Sequence, residues 1–243
     1  MKRGYLLKRI SREGLGIWRY IATYSRFAIY AIVLVALLTG VMLWSLRALI
    51  FEENFHAVIP HEIYRSAQPS PVTLERWIQD FGLRSVVNLR GERAGPLFKD
   101  EQAVTKSHGA DYYAIALNNC KEPPGAALLQ LVDILDTARR PLFLHCALGI
   151  ERSGLASAVA LLLAGEDITE ARKQFTLNYG FVPFWDDHPK VLDDYEHWLA
   201  MQGWFHTPDR FRYWVKNEYC NRTDREKKGR FSTLATSENI TSR

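Results

Sequence analysis

The sequence predicts an α/β fold: a central, mostly parallel sheet flanked by helices, preceded by one transmembrane helix. Three observations predict it. Short apolar runs alternate with helix-periodic segments from residue 61 onward. One of those runs, Pro141-Leu142-Phe143-Leu144, enters a tight segment from His145 to Gly154 and continues into a helical run, Leu155 to Ala164. Residues 27–46 contain no charged side chain, and about 20 apolar residues at ~1.5 Å rise span a hydrocarbon core of about 30 Å.

Each element has its own signal. Ile63-Tyr64-Arg65 starts the first strand. Pro71 to Phe81 is helical, with Thr73 as N-cap, Leu74, Trp77, Ile78 and Phe81 on one face, and Gly82 as C-cap. Ser85 to Leu89 is a short apolar strand. Asp100 to His108 is a helix stopped by Gly109. Tyr112 to Leu117 is a strand, and Gly125 to Ala138 a helix after the Pro123-Pro124 stop. Arg140 to His145 is the central strand. Helices follow over Ile168 to Tyr179, Pro189 to Met201 and Asp209 to Tyr219. Between the first two, Gly180 to Trp185 is an aromatic loop, expected mainly in the core and in part at the rim of the site.

The segment His145 to Gly154 carries the chemistry. Cys146 and Arg152 are separated by five residues, with Gly149 between them. A strand, tight loop and helix N-terminus can aim successive backbone N–H groups at one centre, where the helix end adds partial positive charge. The backbone of Ala147, Leu148, Gly149, Ile150, Glu151 and Arg152 is the expected phosphate cradle. A free thiol is mostly protonated at neutral pH, and a helix N-terminus and nearby cation favour the thiolate. The planar fork of Arg152 can bind two phosphate oxygens. Ser153 is expected to donate to the sulfur, His145 to order the loop, and Gly149 to supply backbone angles that a Cβ resists.

This pattern resembles the cysteine-based protein tyrosine phosphatase superfamily, whose signature is His-Cys, five residues, then Arg followed by Ser or Thr. Tyr64-Arg65-Ser66-Ala67-Gln68-Pro69 and Val86-Val87-Asn88-Leu89-Arg90-Gly91-Glu92 resemble bacterial dual-specificity-type phosphatases, and the likeness covers roughly residues 60 to 200. It implies a cysteine phosphatase-like fold and a cysteinyl-phosphate intermediate hydrolysed by water, with no metal and no cofactor. Related phosphatases carry a general-acid Asp about thirty residues before the cysteine. Here that stretch, Ala116 to Pro124, has none. Three candidates stand in its place: Glu151 within the loop, where some lipid-phosphatase branches place an acid, Glu122, and Asp111 at the start of a strand. Arg65 and Arg90 either extend the anion site or serve structural ion pairs. Cys120, on the acid-loop stretch, is a candidate for a reversible disulfide with Cys146.

Charge gives the topology. The 243-residue chain has a net charge of +4. Residues 1–26 hold seven basic residues and one acid, so the rest is slightly acidic, which argues against a nucleic-acid partner. The basic flank places the N-terminus in the cytoplasm by the positive-inside rule. The expected location is therefore a bacterial inner membrane, single-pass through residues 27–46, with the catalytic domain in the periplasm. The expected organisation is a basic segment (1–26), the span (27–46), a linker (47–60), a phosphatase domain (61–205), a C-terminal helix (206–220) and a disordered tail (221–243). The expected activity is phosphomonoester hydrolysis on phosphotyrosine or other phosphoprotein residues. The alternatives are an enzyme for membrane lipid or envelope sugar phosphates, and a phosphate-binding module of weak activity. The sequence leaves the oligomeric state open.

Overall fold

A computed structural model of the protein describes residues 27–43, 53–91, 96–118, 121–182 and 189–221. The chain divides into two units, Met1–Arg47 and Ala48–Arg243. In the first, residues 27–43 form a helix, α1, whose side chains are exposed throughout. Among the described residues no helix is long and apolar enough to cross a membrane. The span expected over 27–46 is thus not supported: the described helix stops at Leu43, and residues 44–46 lie outside the described residues.

The second unit contains β1 (His56–Ile59), β2 (Ile63–Ser66), α2 (Pro71–Phe81), β3 (Ser85–Asn88), α3 (Pro96–Ser107), β4 (Asp111–Ala114), α4 (Gly125–Thr137), β5 (Leu142–His145), α5 (Glu151–Ala164), α6 (Ile168–Arg172), α7 (Lys190–Gln202) and α8 (Pro208–Trp214). A 3-10 turn covers Leu177–Tyr179, and a π-helical turn, Val215–Tyr219, extends α8. The sheet order is β1-β2-β5-β3-β4. β1 is antiparallel to β2, and all other pairs are parallel. β1 falls inside the stretch expected to be linker, too short an edge strand to stand out in the sequence. The helix expected over 168–179 ends at Arg172, and only its last three residues turn again.

Side-chain alternation on β5 divides the core. Leu142, Leu144 and then Cys146 join the larger cluster with α4, α5, α7 and α8. Phe143 joins the smaller cluster with Leu74, Trp77 and Ile78 of α2. The helix α2 begins one turn earlier in its capping than expected: Ser70, not Thr73, is the N-cap, accepting from the Thr73 N–H at 3.1 Å, with Pro71 in the first turn. Gly82 closes it at φ +61°.

β5 lies between β2 and β3, so the carboxyl ends of three strands surround the start of the loop. A buried polar network sits beneath it. Glu101 of α3 is hydrogen-bonded to His145 Nε2. Its other oxygen accepts from Asn88 Nδ2 at 3.1 Å and Gln68 Nε2 at 3.0 Å. Asn88 Nδ2 also donates to Tyr112 Oη at 3.1 Å. Burial opposes ionisation of Glu101, but the His145 hydrogen bond and charge, with those from Gln68 and Asn88, outweigh it and hold the carboxyl below the usual range. Burial, then the Glu101 charge, pushes the Tyr112 hydroxyl up.

Glu101→Gln is expected to lower the unfolding free energy of the full chain at pH 7 by about 2 kcal/mol, measured by urea unfolding. Because the folded carboxyl titrates below its ordinary value of 4.5, the wild-type advantage should be complete above that pH. It should vanish as pH falls through the folded value. A difference that persists unchanged in strong acid would contradict an ionised Glu101.

Candidate active site

The phosphate loop is built by turning its carbonyls outward. A peptide unit points its C=O and the following N–H in opposite directions. Each carbonyl captured on the outside therefore directs one N–H inward. The Ala147 carbonyl accepts from the Gln68 N–H at 3.2 Å. The Leu148 carbonyl accepts from Asn54 Nδ2 at 3.1 Å. The Gly149 carbonyl accepts from Arg65 Nη2 at 2.6 Å and Asn54 Nδ2 at 3.2 Å. The Ile150 carbonyl accepts from Arg65 Nη2 at 3.0 Å and the Gly154 N–H at 2.8 Å. By that geometry the N–H groups of Leu148, Gly149, Ile150 and Glu151 are turned away from these donors.

Gly149 makes this geometry possible. Its φ is +71°, and a Cβ there would stand 2.5 Å from the Ala67 nitrogen and 2.6 Å from the Ser66 carbonyl carbon. The loop tip thus presses on the end of β2 with no room for a side chain. Cys146, at the loop's base, is a free and fully buried thiol. Arg152 lies in the first turn of α5, and its Nε is buried with no hydrogen-bond partner. A buried N–H of a guanidinium costs free energy unless something accepts it. The acceptor suited to its fork is an oxyanion at the centre of the loop.

The remaining expected residues fall into place or are corrected. Ser153, expected to donate to the sulfur, is buried, and its hydroxyl instead donates to the Ser66 carbonyl at 3.2 Å. It ties α5 to β2. Arg65 does not extend the anion site. It is fully buried, its Nη1 bonded to Gln174 Oε1 at 2.9 Å and the Gln174 carbonyl at 3.2 Å, with its carbon 4.2 Å above the Tyr179 ring. Burial lowers its pKa to about 10, against the pull of Tyr179 and Cys146. Arg90 is likewise structural, donating to Gln68 Oε1 at 2.9 Å.

Among the acid candidates, Asp111 is excluded by position. It begins β4, at the far end of the strands from the loop, and pairs with Arg139 at 2.6 and 2.9 Å. Glu151 stands half-buried at the start of α5, beside Arg152. The Glu122 carbonyl, ahead of α4, accepts from Asn118 Nδ2 at 3.1 Å. Asn119 and Cys120 lie outside the described residues, and with them the expected Cys120–Cys146 pairing. Of the aromatic loop, Phe181 is buried and packs edge-on against Phe175, as expected for the core. Residues 183–188 lie outside the described residues.

Four residues escaped the sequence reading. Asn54, at φ +52° and fully buried, holds the loop from behind, bonds the Tyr179 carbonyl at 3.1 Å, and accepts from His56 Nε2 at 2.9 Å. Glu101 supports His145. The helix ends at Arg172, which frees the Gln174 carbonyl for Arg65 and the Tyr179 carbonyl for Asn54, while the Tyr179 ring lies under the Arg65 guanidinium. The only local signals were an Asn in a position that tolerates αL geometry and a carboxylate on a buried helix face. Among the described residues no group of His, Cys, Asp and Glu could hold a metal ion.

Residues 51–179 match the family described as "PTP-NADK: DSP-PTPase phosphatase fused to NAD+ Kinase". The chain is 33% identical over 106 residues to inositol diphosphatase DSP4 of Arabidopsis thaliana, a match covering 42% of this chain and 51% of the relative. The chain thus spans about half the length of the curated relatives it matches. Among solved structures it is similar to the core catalytic domain of the PP-IP phosphatase SIW14 of S. cerevisiae, with 23% identity, 63% of this chain and 94% of that chain covered, and a TM-score of 0.42. It is also similar to TpbA of P. aeruginosa, with 20% identity, 59% and 85% coverage, and a TM-score of 0.48. With more than half of its length matched, the chain belongs to this DSP-PTPase family of the cysteine-based protein tyrosine phosphatase superfamily.

Proposed function

We propose that the protein hydrolyses phosphomonoesters through a cysteinyl-phosphate intermediate on Cys146. The buried, unpartnered Nε of Arg152 carries this reading, because a guanidinium N–H without an acceptor, in the first turn of the helix that follows the Cys146 loop, suits an oxyanion. The Cys146 thiolate attacks phosphorus in line, the bond to the leaving oxygen breaks, and Glu151 or Glu122 gives that oxygen its proton. Water, deprotonated by the same carboxylate, then attacks phosphorus. The P–S bond breaks, the thiolate returns and inorganic phosphate leaves. The four loop N–H groups and Arg152 hold the equatorial oxygens in both steps. Ser153 and Arg65 act by keeping the loop's shape.

The relatives' printed activity, on inositol diphosphates, supports a phosphorylated substrate. Phosphoprotein residues, lipid phosphates and envelope sugar phosphates all offer the same group to the loop. The reading also includes membrane attachment with the catalytic unit on the periplasmic side. Two features support it: the exposed apolar side chains of α1, and the seven basic residues before it.

Cys146→Ser should abolish phosphate release from an aryl phosphate, and Arg152→Lys should lower kcat/KM by about 10²–10³-fold. Turnover surviving in Cys146→Ser would refute the covalent route. Glu151→Gln is expected to reduce kcat/KM about 10²-fold on an alkyl phosphate, and far less on a nitrophenyl phosphate, whose leaving group needs no proton. The same selective loss in Glu122→Gln instead would move the acid to that loop. The full chain should sediment with membranes and resist carbonate extraction, and a reporter fused after Arg243 should be active only in the periplasm. Quantitative release by carbonate would remove the attachment.

A further inference from the structure

The geometry points to a second ligand site, one that takes a small organic ammonium ion. It is a cavity of about 440 Å³ between α7 and α8, whose lining includes Trp198, Trp204, Asp209, Arg210, Tyr213 and Glu218. None of its lining residues belongs to the segments that build the phosphate loop.

A change of helix type assembles the lining. On α8, Asp209 and Tyr213 are four residues apart and share one face. An unbroken α-helix would carry Glu218 away from that face, because the fifth residue on lies about 140° further round. The chain continues instead as the π-helical turn Val215–Tyr219, with the Cys220 N–H on the Val215 carbonyl. This wider turn returns Glu218 to the Tyr213 side, and both line the cavity. Across from them stand Trp198 of α7 and Trp204, which follows the Gly203 cap. The Trp198 and Trp204 rings are 80° apart in plane with centroids 5.5 Å apart. Trp198 and Tyr213 are nearly parallel, at 23° and 6.1 Å. The three rings therefore make two walls that meet near a right angle.

The lining selects the sign of the ligand. Aromatic faces are negative and attract cations. One such contact is made by the chain itself: the Arg210 guanidinium carbon lies 5.1 Å from the Trp204 ring centre. Arg210 Nη1 donates to the Phe205 carbonyl at 2.8 Å, which keeps that guanidinium on Trp204. Tyr213, 54% exposed, forms the open wall. With two carboxylates, Asp209 and Glu218, against one guanidinium, Arg210, the lining carries one net negative charge. Arg212 also reaches Asp209, at 3.2 Å, but it is held by two bonds of 2.8 Å to Asp136. An anion is opposed here, and an uncharged guest draws nothing from the carboxylates. An ammonium ion bearing methyl or alkyl groups suits both, its carbons on the rings and its charge towards Glu218.

The test titrates the full chain with choline and with its uncharged carbon isostere, dimethylbutanol, followed by tryptophan fluorescence. Choline should bind saturably with a Kd of about 1 mM, and the alcohol about tenfold more weakly. Glu218→Gln should weaken choline about threefold, and Tyr213→Leu about fivefold. Both positions are exposed, and both variants keep the two tryptophans of the cavity, so urea unfolding should be unaltered. Equal affinity for alcohol and choline, absence of saturation, or unchanged affinity in both variants would overturn the site. Sedimentation with phosphatidylcholine vesicles that depends on Tyr213 and resists excess choline would give the cavity to a bilayer surface and overturn the free ligand. None of these readouts involves turnover, so the site stands or falls independently of the phosphatase reading.

Discussion

The outward capture of the phosphate loop's carbonyls is the constraint on which the rest of the structure depends. Four N–H dipoles aimed at one point repel one another and expose their carbonyls on the reverse side. Such a loop holds its shape only if buried donors receive those carbonyls. Arg65, Asn54 and the Gln68 N–H are those donors, all far before the loop in the sequence. Burying a guanidinium is costly, as its lowered pKa records. The cost is offset by four carbonyl and amide acceptors and by the face of Tyr179. Anion binding at Arg152 is thus prepared by a second arginine that never meets the anion.

The fold places these donors without distortion. β2 and β3 flank β5 in register, with Ser66 and Asn88 both opposite His145. The residues just past those strand ends, Ala67-Gln68 and Leu89-Arg90, therefore surround the start of the loop. Gln68 links the two sides: its N–H takes the Ala147 carbonyl, and its side chain joins Arg90 to Glu101. One polar layer consequently runs from α3 under His145 to the back of the loop. A disturbance in α3 reaches the cradle through hydrogen bonds whose members are nearly all buried, where an unsatisfied group costs most.

What the sequence made legible was local, and what it hid was non-local. The β5–loop–α5 segment is contiguous, so its strand run, its glycine and its arginine could be read together. Gly149 was legible as a backbone requirement, and the structure supplies the reason in the Ser66 and Ala67 backbone. Pro71 and Gly82 bounded α2 because proline and glycine act on their own residue. Asn54 lay in a stretch read as linker, since a four-residue edge strand leaves little periodicity. Ser153 was assigned to the sulfur from its sequence proximity, whereas the nearest acceptor came from β2. The break after Arg172 was hidden too. Residues 173–179 have adequate helix propensity, but Gln174 and Tyr179 find better partners in Arg65 and Asn54 than in a continued helix, a tertiary override of a weak local preference.

Glu151 shows how the same constraint reaches the chemistry. A carboxylate inside an anion-binding loop looks self-defeating, yet the first turn of a helix favours acidic side chains, and Arg152 stands next to it. Its N–H belongs to the cradle while its side chain is half-exposed. An acid held this way moves with the loop that holds the phosphate. Glu122, ahead of α4, belongs to a separate segment. In the mechanism proposed above, proton delivery from Glu151 would need no loop closure, only the rigidity that Asn54 and Arg65 already impose.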